Sequence, residues 1–372
     1  VNKAIPGQTV NTVVYRKKQG YAEARVLKVL EESSSAVQAP CMHFGVCGGC
    51  KTQNLAYDEQ LNQKAHQVED IFRRMGKYPE FKLDDVVPAE DVYHYRNKME
   101  FTFSPNRWML TDEKEDISNS VALGLHIPGR FDKILNITEC FIQPEIGNRV
   151  LNTAQKICEA HSELVPYNPK AHTGFLRHLM LRFGIRTQQL MVNIVTAYED
   201  MDKLSPLVDG LLDDVPEITS LVNNVNTRKA DSAFGEYEIL LYGQPTIKEK
   251  IGNLNIDISA NSFFQTNTIQ GEKLYEQIVK AAGLSGDEVI YDLYCGIGSI
   301  SLYLAPHAKA VYGFEIIRSS LEDAEKNAEK NSISNVWFFK ANLNTYFKKG
   351  QLPKRLPKPN IVIVDPPRAG LH

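Results

Sequence analysis

Val289-Ile-Tyr-Asp-Leu-Tyr-Cys-Gly-Ile-Gly-Ser-Ile300 decides the fold. Its first half, Val289–Tyr294, is an apolar run that reads as a strand buried on both faces, and Ile300–Ala305 opens a helix. Between them, Gly296 and Gly298 let the backbone turn sharply and approach a ligand closely. The surrounding sequence repeats the alternation. Gln270–Ala282 reads as a helix, Ala310–Glu315 as a strand, Ser319–Asn331 as a helix, and Val336–Lys340 and Ile361–Val364 as strands, with Leu352–Pro359 a loop before the last. From about residue 255 the chain is therefore α/β, a Rossmann-like parallel sheet covered on both faces.

Open sheets of this kind bind ligands at the carboxyl ends of their strands. Glu315 ends the second strand, 19 residues beyond Gly296, where an acid reaches both ribose hydroxyls of a nucleoside. Asp365-Pro-Pro-Arg368 ends the fourth strand on the same crevice, and its two prolines stiffen the backbone presenting Asp365. Ser301 stands where a dinucleotide fingerprint has its third small residue, so a pyrophosphate cradle is imperfect. Ribose recognition without that cradle favours S-adenosylmethionine over NAD.

The amino-terminal two thirds read differently. Val10–Val14 and Ala22–Val29 are strand-like around the polar turn Arg16–Gly20, and Tyr15, Arg16, Lys17, Lys18, Tyr21 and Arg25 mix rings with cations, as single-strand binders do, though from these residues alone a solvated hairpin tip is the nearer expectation. Tyr57–Arg74 reads as an amphipathic helix, Lys98–Phe103 and Val121–His126 as strands around a polar loop Thr111–Ser120, 144–164 and 200–214 as helices, and 176–197 and 218–226 as strands.

Cys41-x5-Cys47-x2-Cys50 lies in a glycine-rich loop, Gly45, Gly48 and Gly49, able to wrap a metal. Cys140, Cys158 and His43 are the candidates for a fourth ligand. Cys158 has apolar helical neighbours and reads as core, which leaves Cys140 the better choice. Four thiolates fit tetrahedral zinc or a [4Fe–4S] cluster, and the absence of a second close cysteine pair favours the cluster, in a structural role.

Composition narrows the classes. The chain has 372 residues, 43% hydrophobic and 23% charged, and a net charge of −3 from 42 basic and 45 acidic residues. Disordered, collagenous and membrane-spanning chains are excluded, two or three domains are expected, and nucleic acid would have to be bound by local patches. Six cysteines in this length are too few for a disulfide scaffold and point to a reducing compartment, with the cytoplasm the default and an organelle the alternative. The chain opens without methionine and stops eight residues after its last expected strand. Truncation at both ends is the expectation.

Together these residues resemble the RNA 5-methyluridine methyltransferase family. The resemblance rests on Pro40-Cys-Met-His-Phe-Gly-Val-Cys-Gly-Gly-Cys50, Tyr95-Arg-Asn-Lys-Met-Glu-Phe101, Ser262-Phe-Phe-Gln-Thr-Asn267, Asp292–Gly298 and Asp365–Leu371, spread over nearly the whole chain. It implies three domains: a partial TRAM/OB-like β-barrel over 1–38, a mixed α+β domain with the cluster cysteines over 39–254, and the incomplete Rossmann-like methyltransferase domain over 255–372. It also implies S-adenosylmethionine on Gln265, Tyr294, Glu315 and Asp365, with Ser299 and Asn342 as weaker candidates and Phe263 and Phe264 lining the pocket. The [4Fe–4S] cluster falls on Cys41, Cys47, Cys50 and Cys140, with zinc the lesser alternative. Tyr95, Arg96 and Asn97 are expected to help position RNA, either transfer or ribosomal; no membrane or protein partner is implied.

In the family a cysteine thiolate adds to carbon-6 of uracil, carbon-5 then attacks the cofactor's methyl group, and a glutamate removes the carbon-5 proton. Both groups follow the Asp-Pro-Pro-Arg motif at a distance, and no Cys or Glu lies between Asp365 and His372. The expectation is a methyltransferase whose nucleophile and base lie beyond residue 372, inactive as written. The competing reading is a non-catalytic RNA-binding or RNA-folding protein that keeps both pockets. A third, an amine methyltransferase, is disfavoured by Arg368 where an aromatic residue would serve.

Overall fold

The computed structural model describes residues 1–110, 121–230, 232–343, 345, 356–367 and 370. The expected loop Thr111–Ser120, residues 352–355 of the expected loop Leu352–Pro359, and Arg368 lie outside them.

In chain order the elements are β1 (Thr9–Lys18), β2 (Tyr21–Glu31), α1 (Tyr57–Asp70), β3 (Lys98–Ser104), β4 (Ala122–Ile127), β5 (Arg130–Asn136), α2 (Glu145–Ala160), β6 (Leu176–Gly184), β7 (Gln189–Thr196), α3 (Met201–Asp214), β8 (Ile218–Val225), β9 (Tyr237–Gly243), β10 (Thr246–Ile251) and β11 (Leu254–Ser259). The carboxyl-terminal third continues with α4 (Thr268–Ala282), β12 (Val289–Leu293), α5 (Ser299–Leu304), β13 (Ala310–Glu315), α6 (Arg318–Lys330), β14 (Val336–Lys340) and β15 (Ile361–Val364). The chain divides into two compact units, Val1–His94 with Phe101–Gln155, and Tyr95–Glu100 with Lys156–His372.

In the first unit β1 and β2 pair antiparallel as a hairpin that turns over Gln19-Gly20, with Lys18 opposite Tyr21. Gly20, at φ +89°, supplies the left-handed residue such a tight turn requires. The turn is shorter than the expected Arg16–Gly20, because Arg16 and Lys17 stay paired with Glu23 and Ala22. Of the partial barrel expected over 1–38, the described residues hold this hairpin and one further bridge that joins it, Asn2 to Arg25. The helix expected over Tyr57–Arg74 is regular only to Asp70 and finishes in a wider π turn, Ile71–Met75. Beyond them, β4 pairs antiparallel with β3 and with β5, whose charged start hid its alternation in the sequence.

The second unit opens with β6, β7, β8 and β9 as sequential neighbours. β7 and β8 are parallel, joined by the crossover helix α3, which Asp200 caps by accepting the Lys203 N–H at 3.0 Å and which buries Leu204, Leu207 and Leu211. β10 and β11 form a hairpin whose inward residues, Ile247, Ile251, Leu254, Ile256 and Ile258, share one core with Tyr275 of α4, Ile290 of β12 and Leu302 of α5. Each such aliphatic burial is worth roughly 1.5–3 kcal/mol, so this core fixes the hairpin against the final sheet. That sheet is parallel throughout, in the order β14-β13-β12-β15. Its strands and helices fall within two residues of the sequence expectation.

Candidate cofactor site and thiol pocket

The chain lays down β12, β13 and β14 in one direction and then returns to place β15 on the other flank of β12. That reversal opens a crevice at the carboxyl ends of β12 and β15, the position where open α/β sheets take their ligands. Asp292–Gly298 leaves β12 there, Glu315 ends β13 and Asp365 follows β15.

The loop after β12 is bent by three residues of positive φ, Tyr294 at +67°, Gly296 at +55° and Gly298 at +77°. A tyrosine in the left-handed region is strained, and such strain concentrates at functional sites. It is held because the Tyr294 and Cys295 N–H groups both donate to the Phe314 carbonyl, at 2.9 and 3.1 Å. A Cβ on Gly298 would stand 2.7 Å from the Phe338 ring, so glycine is required by space as well as by conformation.

Three carboxylates face this loop. Asp292 is fully buried; its Oδ2 accepts the Ser301 hydroxyl at 2.5 Å and its Oδ1 has no partner among the described residues. Burial first, then the charges of Asp365 and Glu315, push its carboxyl up to about 7 against the stabilising Ser301 bond. Glu315, 9% exposed, accepts the N–H groups of Gly296, Ile316 and Ile317 at 3.2, 2.7 and 3.0 Å. Asp365 is exposed. Cys295 lies buried in the same loop, where burial and the carboxylates of Asp292 and Glu315 drive its thiol well above the ordinary range. The arrangement suits a ligand carrying positive charge.

The segment Ser262–Asn267 precedes α4. Phe264 is in the core, whereas Phe263 is 64% exposed, so only Phe263 is free to line a pocket. Arg182, itself buried, donates to the Ala260 carbonyl at 3.0 Å and to the Ser262 carbonyl, and Asp323 accepts from the Ser259 and Ser262 hydroxyls. Asn97 is 5% exposed and its amide donates to the Gln265 carbonyl at 2.8 Å. The expectation that Asn97 positions RNA is corrected: its side chain is spent inside the protein. The Arg96 Nε donates to the Lys98 carbonyl, two residues on, at 2.9 Å.

In the first unit Cys41, Cys47, Cys50 and Cys140 line one pocket, walled by Phe44, Leu125, Ile137, Phe141 and Ile142. A Cβ at Gly48 would lie 2.4 Å from the His126 carbonyl oxygen, whose hydrogen bond with the Gly48 N–H (3.0 Å) seats the cysteine loop. Cys140 is fixed from its own side, its N–H donating to Asn148 Oδ1 at 2.9 Å. Burial pushes the Cys41 and Cys47 thiols up, and Cys140 up to about 11. His43 Nε2 accepts the Thr138 N–H at 3.2 Å, which occupies the lone pair a metal would need. Cys158 lies apart, buried in α2 with its thiol pushed up to about 12. Among the described residues no three His, Cys, Asp or Glu side chains converge as a ready site for one metal ion.

Comparison with known proteins decides the family. Residues 246–372 match the family model described as tRNA (uracil-5-)-methyltransferase. An uncharacterized RNA methyltransferase of Chlorobaculum tepidum is 43% identical over 372 residues, covering 99% of this chain and 77% of the relative. The chain belongs to the RNA (uracil-5-)-methyltransferase family. A second uncharacterized RNA methyltransferase, from Bacteroides thetaiotaomicron, is 36% identical over 375 residues, covering 99% of this chain and 82% of that one. Among solved structures, the Pyrococcus abyssi tRNA (uracil-54, C5)-methyltransferase in complex with S-adenosyl-L-homocysteine is similar with a TM-score of 0.73 and 26% identity, over 100% of this chain and 80% of that chain.

The chain is thus an S-adenosylmethionine-dependent RNA methyltransferase. Within the methyltransferase, Tyr294, Glu315 and Asp365 come to one crevice, and the four thiols named from sequence come to one pocket. Sequence reasoning overlooked Asp292 as a side chain, although it was quoted in the motif. Ser301, read as a defect in a phosphate cradle, is the donor that serves Asp292. Sequence reasoning also overlooked Arg182 and gave Asn97 to RNA; a buried cation and a buried amide leave no periodic signal.

Proposed function

We propose that this protein methylates carbon-5 of a uridine in transfer or ribosomal RNA, with S-adenosylmethionine as methyl donor. The observation that carries the reading is the convergence of Asp292, Glu315 and Asp365 at the switch point of a parallel sheet in a chain of this family. The donor is cationic at its sulfonium and its ammonium, and carboxylates in a partly buried crevice are the complementary groups. Glu315 and Asp365 bind and orient it, Tyr294 packs against it, and Gln265 closes over it from the segment ahead of α4. When bound, the donor supplies an electrophilic methyl group.

Uracil carbon-5 is a weak nucleophile, so a thiolate must first add to carbon-6. None of the six cysteines of this sequence suits that task. Cys295 and Cys158 are buried with strongly raised thiols, and the other four share the thiol pocket. The target base must leave its stack to reach the crevice, and the exposed ring of Phe263 and the rings and cations of the β1–β2 hairpin are suited to hold RNA.

The thiol pocket fits a [4Fe–4S] cluster held by Cys41, Cys47, Cys50 and Cys140: four sulfur donors with apolar walls are the chemistry such a cluster takes. Once loaded it would supply a cross-link between the cysteine loop and the segment at Cys140. The test of the function is nucleoside analysis of transfer and ribosomal RNA from cells with and without the gene. Loss of 5-methyluridine at one site, restored by the gene, is expected; unchanged 5-methyluridine in every RNA overturns the reading.

A further inference from the structure

Residues Tyr95–Glu100 belong to the second unit although both of their flanks belong to the first. Besides the Phe183 N–H, which donates to the Asn97 carbonyl at 2.9 Å, what ties them there is a set of hydrogen bonds to the segment carrying Gln265. The Asn97 N–H donates to the Thr266 carbonyl at 2.8 Å, and Arg96 bridges Asn267. The two hydrogens of the Asn97 amide go to the Gln265 carbonyl at 2.8 Å and to Thr268 Oγ1 at 2.9 Å. Thr268 in turn donates to Glu249 Oε2 at 2.9 Å.

The direction of this chain is fixed by chemistry. The Glu249 carboxylate only accepts; it is fully buried and also takes the N–H groups of Ile185, Arg186 and Lys250 at 2.7, 3.1 and 2.9 Å. The Thr268 hydroxyl must therefore give its proton to Glu249 and accept from Asn97. A flipped amide would set its oxygen against the Gln265 carbonyl, so only one orientation works. Gly271 completes the fit, since a Cβ there would lie 3.1 Å from Gln265 Cβ.

We propose that Asn97 is a positioning residue for the cofactor site, fixing the Gln265 backbone so that the Gln265 side chain is presented to S-adenosylmethionine. This rests on the reading of Gln265 as a cofactor contact. Asn97 touches no cofactor itself; it acts through Gln265, from 168 residues away in sequence.

The test is a double-mutant cycle with calorimetric titration of S-adenosylhomocysteine into the purified protein, alongside thermal unfolding. Asn97→Ala and Gln265→Ala are each expected to weaken binding about tenfold, the cost of one buried hydrogen bond lost. The double variant is expected to be no weaker than Gln265→Ala alone, because a residue that works through another has nothing left to position. Asn97→Asp, equal in shape but without the donors, is expected to lose more than Asn97→Ala. If Asn97→Ala fails to unfold cooperatively, Asn97→Ser takes its place in the cycle. Unchanged affinity on replacing Asn97, or losses that add in the double variant, overturns the proposal while leaving the cofactor reading intact. No binding by the unmodified protein overturns the cofactor reading itself.

Discussion

Glu315 Oε2 accepts the Gly296 N–H at 3.2 Å, so the carboxylate that ends β13 holds the glycine loop that ends β12. Its other oxygen takes the Ile316 and Ile317 N–H groups. One side chain therefore stiffens two loops while facing the crevice. Glu315→Ala is expected to leave three N–H groups without their acceptor, to lower stability by about 1–3 kcal/mol, and to weaken S-adenosylhomocysteine binding at least about tenfold. Thermal unfolding and calorimetry measure the two effects separately.

Asp292 gives the site a pH dependence. Its carboxyl is raised to about 7 in the folded protein from an ordinary value of 3.8. Between those values the folded state holds a proton that the unfolded state has released, so stability from this group is full below the lower value and is lost as pH rises through about 7. Asp292→Asn is expected to flatten that decline, read as unfolding midpoint against pH. A cationic ligand favours the ionised form, so affinity for S-adenosylmethionine should rise with pH over the same interval and lose that rise in the variant.

Gly298 tests the loop conformation. Alanine there would meet Phe338 at 2.7 Å and sit at φ +77°. Gly298→Ala is expected to cost about 2–4 kcal/mol from the two effects together, measured by denaturant unfolding, with cofactor binding reduced.

The thiol pocket predicts a colour. Protein reconstituted anaerobically with iron and sulfide is expected to absorb in the visible, and replacing Cys41, Cys47, Cys50 or Cys140 by alanine should abolish or sharply reduce it. Cys158→Ala should leave it unchanged. A colourless protein with one zinc per chain would assign the pocket to zinc.

The contrast between what was legible and what was not has a physical source. β13, β14 and β15 could be bounded to the residue because each is a short, nearly unbroken apolar run. β10 escaped the reading because the buried carboxylate of Glu249 stands on its inward face between Ile247 and Ile251. Site residues at strand ends, such as Glu315, could be found by counting from Gly296. Asn97 could not be placed by counting, because its partners lie across the fold and its motif neighbours suggested a surface.

The most direct measurement of the central claim is titration of S-adenosylmethionine and S-adenosylhomocysteine into the purified chain, compared with the Asp365→Ala variant. The account predicts saturable binding of one ligand per chain, weakened at least about tenfold by the substitution. Absence of binding, or binding indifferent to Asp365, would contradict it.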